Sequence, residues 1–164
     1  MALRQGIKNL LINWVWLLVW IVLLVLIGAG IGQITKPGID MWYKTLQRSP
    51  LTPPDYIFGI VWTILYAILG SCGWVLWSSP NTNLRSAKIL YVAQLILNWS
   101  WAPLFFIYHQ IGLSLLFIGG MIFVTIPLMI KTYRTARWVS CLCIFYLAWI
   151  LFAGYLNYYI WYYN

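Results

Sequence analysis

Between Lys8 and Lys36 the chain carries no charged residue, and the stretch from about residue 10 to 34 is almost continuously apolar. A helix rises about 1.5 Å per residue, so about 20 apolar residues cross the roughly 30 Å hydrocarbon core of a bilayer. This stretch is long enough to do so. Arg4 and Lys8 precede it and Gly28-Ala29-Gly30 could pass for a cleavage site, as in a secretory signal. Its apolar run is longer than a signal's h-region, however, and it is read as an uncleaved helix. Segments such as Trp14 to Ile31 do not alternate apolar and polar residues, which excludes a transmembrane β-barrel.

The same pattern recurs at about residues 56–77, 87–107, 111–130 and 138–161. Pro53-Pro54 suits the opening of the second helix. Five spans and their connections use nearly all of the 164 residues. The expected fold is therefore an all-α membrane protein, a five-transmembrane-helix bundle forming a single domain over residues 1–164. Composition agrees: 7% of residues are charged, against roughly 25% in a soluble domain. Residues 35–55 are expected to form a long loop, rich in turn signals such as Lys36-Pro37-Gly38, with a short interfacial helix within 39–47.

The net charge of +8 comes from cations at the ends of the expected helices, not from a basic run interleaved with aromatics, so no nucleic-acid partner is expected. Arg4, Lys8, Arg85, Lys88, Lys131, Arg134 and Arg137 fall on one side of the bilayer, and Lys36, Lys44 and Arg48 on the other. The positive-inside rule then puts the N-terminus inside, with the first loop and the C-terminus outside.

The helix interiors hold no Asp, Glu, Lys or Arg. Ion-coupled pumps and proton relays generally need such groups, so an antiporter is disfavoured. No metal site is expected. His109 is the sole histidine, at a helix end suited to headgroups, and Cys141 and Cys143 point to different helical faces.

What the interiors do hold is aromatic rings, among 12 Trp, 12 Tyr and 7 Phe. Those near the end, Trp161, Tyr162 and Tyr163, fit an interfacial belt. Others run in stripes at helical spacing: Phe58, Trp62, Tyr66, Leu69 and Gly73; then Gln94, Asn98, Trp101 and Phe105; then Tyr146, Trp149, Ala153 and Leu156. Amides are costly in lipid without a partner, so Gln94 and Asn98 must face the bundle interior. Interhelical hydrogen bonding and a cavity for a flat apolar ligand both satisfy this, and spacing does not separate them. Gly28 and Gly32 form a small-xxx-small pair that permits close helix approach, within the bundle or across a dimer.

Trp42-Tyr43, Leu46, Pro50, Pro53-Pro54, Phe58, Val61-Trp62-Thr63, Leu65-Tyr66 and Gly70 resemble the signature of the translocator protein (tryptophan-rich sensory protein, TspO) family. The likeness continues through Gln94-Leu95, Leu97-Asn98-Trp99, Trp101 and Phe105-Phe106, and ends with Tyr146 to Trp149, Phe152-Ala153, Leu156-Asn157 and Asn164. It implies a homodimer of five-helix bundles, each with a pocket closed by the first loop, binding porphyrins such as protoporphyrin IX and similar planar ligands. No further cofactor is required. The pocket positions implied are Tyr43, Pro53, Trp62, Asn98, Trp149 and Ala153, with Trp62 and Trp149 as candidates for porphyrin breakdown through an indole radical. The implied roles are transport of these molecules, stress sensing (directly or through a protein partner), and light- and oxygen-dependent porphyrin degradation. Two features depart from the family pattern. Phe145-Tyr146 stands where Pro-Tyr is usual, and no cation follows Tyr158, which argues against a sterol as the natural ligand.

Overall fold

The computed structural model describes residues 2–80 and 84–164, with side chains from residue 13 onward. The side chains of Arg4 and Lys8 and the middle of the turn before Arg85 lie outside the described residues. Five α-helices follow in order: α1 (Ala2–Met41), α2 (Asp55–Ser78), α3 (Arg85–Phe106), α4 (Ile111–Thr132) and α5 (Arg137–Tyr163), with one 3₁₀ turn (Tyr43–Thr45) after α1. Each of the five is long and apolar enough to cross a membrane. The chain is thus built as an integral multi-pass membrane protein.

Contacts close the helices into a ring in the order α1, α2, α5, α4, α3 and back to α1. Its centre is a core of Leu65, Leu69, Leu76, Tyr91, Leu95, Ile118, Met121, Leu128, Tyr146 and Ile150, contributed by α2 to α5. The outward faces carry Leu116, Phe123, Ile130, Phe145 and Leu151, apolar and exposed as a lipid-facing surface requires. Of the cysteines, Cys141 is exposed and Cys143 buried, as their offset on one helix implies.

The boundaries of α2 to α5 fall within two residues of those read from the sequence, but the first loop is shorter than expected. α1 does not stop near residue 34. It runs through Lys36-Pro37-Gly38 to Met41. Three features hold the helix past a proline that removes one backbone donor. Thr35 returns its hydroxyl to the carbonyls of Ile31 (2.9 Å) and Gly32 (3.1 Å), in the turn just before Pro37. Lys36, Asp40 and Lys44 pair at i, i+4 spacing, with Nζ–O distances of 3.1 and 3.4 Å. Gly38 lies so close to the Phe106 carbonyl oxygen that any Cβ would collide with it. Local turn propensity gives way here to packing of α1 on the end of α3.

What remains of the loop is pinned to the far end of α5. The Gln47 amide donates to Asn164 Oδ1 (2.9 Å), and Asn164 Nδ2 donates back to the Gln47 carbonyl (3.2 Å). Ser49 Oγ and the Tyr155 hydroxyl share a hydrogen bond of 2.9 Å. His109, exposed in the α3–α4 turn with φ 54°, stacks its ring on Trp42 at 4.0 Å.

Candidate functional site

The two amides of the α3 stripe are buried, Gln94 at 1% exposure and Asn98 at 2%. Both donate to one acceptor, the Tyr146 hydroxyl of α5, Asn98 Nδ2 at 2.9 Å. That hydroxyl donates in turn to Met121 Sδ (3.3 Å), while the Tyr66 hydroxyl of α2 donates to Asn98 Oδ1 (2.8 Å). Side chains from α2, α3, α4 and α5 thus join in one buried polar chain. Interhelical hydrogen bonding accounts for both amide nitrogens and for Asn98 Oδ1, each bond adding about 1 kcal/mol net, while Gln94 Oε1 is buried with no partner among the described residues. A second cluster sits toward the α3–α4 turn. Asn157 Oδ1 accepts from Trp101 Nε1 (3.2 Å) and Ser114 Oγ (2.9 Å), and Asn157 Nδ2 donates to the Ile111 carbonyl (3.0 Å).

These two networks hold up one wall of a cavity of about 500 Å³ between α1, α2 and α3. Tyr66 and Asn98 come from the first network and Trp101 from the second, and all three line the space. Trp62 stacks on Trp101 (5.8 Å between centroids, 30°) and lies 5.9 Å from Tyr66. Phe58, Phe106, Tyr43 and Tyr56 complete the aromatic lining, with Tyr43 edge-on to Phe106 at 5.4 Å. The opposite wall is the face of α1 from Val25 to Asp40, which includes Gly28, Ala29, Gly32 and Gln33. At the loop end the lining becomes charged, with Lys36, Asp40 and Asp55. A volume of this size, with aromatic rings along its α2 and α3 side and charged groups at the loop end, suits a flat, largely apolar molecule with a polar edge.

The structure brings Tyr43, Trp62 and Asn98 together on this cavity. It does not bring Pro53, Trp149 or Ala153 to the lining. Trp149 is half-buried against Phe58, whose ring lies 6.0 Å from it, and it also packs on Phe152 at 5.6 Å. Ala153 is buried in the core, and Pro53 stands half-buried before α2. The loop between Leu46 and Pro54 likewise contributes no lining residue, so the cavity is bordered only by the loop's two ends, Tyr43 and Asp55. Sequence reasoning missed the α1 wall. Among its residues are two glycines, an alanine and several polar groups, beside Val25, Ile31 and Ile39; the signal was the small-residue run at Gly28 to Gly32, read as helix contact. Gly28 does make that contact, since a Cβ there would collide with the Tyr66 ring, whereas Gly32 faces open space. No cluster of His, Cys, Asp or Glu able to hold a metal occurs among the described residues.

Fold and cavity together define a small polytopic membrane protein with an intrabundle site of ligand size. The TspO/MBR family profile matches residues 20–162, and the chain belongs to that family. It is 36% identical to the translocator protein of Bos taurus over 142 residues, 82% of either chain. The tryptophan-rich protein TspO of Archaeoglobus fulgidus is 31% identical over 132 residues, 80% of this chain and 86% of that one. Protein CrtK of Rhodobacter capsulatus is 29% identical over 139 residues, 79% of this chain and 81% of its own length.

Proposed function

We propose that the protein binds porphyrins and related planar apolar molecules in the cavity between α1, α2 and α3, and moves them across or along the membrane. The observation that carries the reading is the aromatic lining of the 500 Å³ cavity, with Trp62 stacked on Trp101 beside Tyr66 and Asn98. Indole and phenol faces offer a macrocycle offset stacking. Family membership and relatives called translocator protein agree with a carrier or receptor role. The same reading takes the functional unit as a homodimer with the N-terminus inside and the first loop outside.

The test is quenching of tryptophan fluorescence by protoporphyrin IX, in the dark and in nonionic detergent, for wild type, Trp62→Phe and Tyr43→Phe. Saturable quenching with a midpoint weakened severalfold in both variants is the expected result. Quenching that never saturates, or midpoints untouched by either substitution, overturns the assignment.

A degrading activity that used both Trp62 and Trp149 would work on unequal terms. Trp62 lines the cavity, whereas Trp149 packs on Phe58 and does not. Loss of light-driven product formation in Trp62→Phe but not in Trp149→Phe is the pattern this geometry favours. Equal product from both variants and from free porphyrin would leave the protein no chemical part.

A further inference from the structure

The chain holds only two carboxylate side chains, Asp40 and Asp55, and both line the cavity at its loop end. Three cations gather with them. Lys36 also lines the cavity, while Lys44 and Arg48 stand just outside. Asp40 is held twice, by Lys36 at 3.1 Å and by Lys44 at 3.4 Å, on separate oxygens. Asp55 has Arg48 at 3.9 Å. One cation is therefore in surplus, and it is the one on the cavity wall. If Lys36 turns to an anionic ligand, Asp40 keeps Lys44 and no carboxylate is stranded.

Resting on the ligand reading above, we infer that Lys36 is the anion-binding residue of the cavity mouth, selecting planar apolar ligands that carry a carboxylate over neutral ones of the same shape. Its position suits the task. It lies at the charged end of the cavity with Asp40 and Asp55, so a ligand with its ring system against Trp62 and Trp101 would direct an acidic edge toward Nζ. Gln33, three residues earlier on the same helix, adds a neutral hydrogen-bonding group to the same lining. The Lys36 side chain is 64% exposed, so solvent screens the pairing and the selectivity it confers is about twofold to fivefold in Kd.

Protoporphyrin IX and its dimethyl ester share one macrocycle and differ in their two carboxylates, which makes them the probes. Binding of each is measured in nonionic detergent at low and at high salt for wild type, Lys36→Met, Lys36→Arg and Asp40→Asn. Wild type is expected to hold the free acid severalfold tighter than the ester, with the gap closing as salt rises. Lys36→Met should abolish the gap by weakening the acid alone, Lys36→Arg should retain it, and Asp40→Asn should widen it. A wild type that binds both forms equally, or a Lys36→Met variant that keeps the preference, overturns the assignment while the cavity stands. Saturable binding of neither form removes the porphyrin reading itself, and the role of Lys36 with it.

Discussion

Helices α1 and α2 share one seam, yet its two ends are built in opposite ways from the same residue type. At one end Gly70 and Gly73 of α2 lie hard against α1. A Cβ on Gly70 would meet Ile21 Cα at 2.7 Å and the Trp20 carbonyl oxygen at 2.9 Å, and one on Gly73 would strike the Trp20 ring at 2.6 Å. At the other end Gly32 of α1 and Gly59 of α2 have nothing within 4 Å and face the cavity. Glycine permits contact in the first case and leaves room in the second. In a bilayer, where lipid tails solvate leucine as well as protein does, close backbone approach is a main source of helix association. The tight end can therefore hold the pair together while the loose end stays open to a ligand.

Substitutions along the seam test that division, and the largest effect is expected where backbone meets backbone. Gly70→Val forces α1 away from α2 and should cost about 3 kcal/mol, read as an earlier unfolding midpoint in SDS titration, with ligand affinity falling as a consequence. Gly28→Ala comes next, at the boundary between the two ends. Its methyl would displace the Tyr66 ring, whose hydroxyl is tied to Asn98 at 2.8 Å, and a loss of about 1–2 kcal/mol in the same titration is expected. Gly32→Phe should separate binding from stability. The ring would occupy the cavity, so protoporphyrin IX affinity should drop at least about tenfold, roughly 1.4 kcal/mol, with the unfolding midpoint near that of wild type. The smallest effect is Gly32→Ala, which relieves helix entropy without a clash and should stabilise by about 0.5–1 kcal/mol. A destabilised Gly32→Ala protein would mean that the loose end is packed after all.

The same contrast explains what could be read in the sequence. The five spans were legible because the solvent for most of the surface is lipid, and long uncharged runs have few other fates. The α3 stripe was legible because Gln94, Asn98, Trp101 and Phe105 repeat at helical spacing, and all four are buried. Tyr43, Trp62 and Asn98 lie on the cavity because aromatic and amide side chains announce an inward face. The end of α1 was not legible. Lys36-Pro37-Gly38 has the local chemistry of a turn, and the Thr35 hydroxyl bonds, the approach of Gly38 to Phe106 and the ion pairs about Asp40 hold it helical. Nor was the α1 wall, since a glycine that leaves a void and one that permits contact look alike in a sequence. Trp149 shows a further gap: its stripe is correct, with Tyr146 and Ala153 buried beside it, but its ring packs on Phe58 and is not part of the lining.

The strap from the loop to α5 has a consequence best put in populations. For the segment between Leu46 and Pro54 to swing over the cavity, it must release the two hydrogen bonds between Gln47 and Asn164 and the one between Ser49 and Tyr155. At about 1 kcal/mol each, that places the released form near one molecule in a hundred or fewer at equilibrium. A bound molecule that touched the released segment would have to supply about 3 kcal/mol of differential contact before the covered form predominated. Small ligands that reach only the aromatic wall would leave the strap fastened, and only those extending past Tyr43 would draw it across.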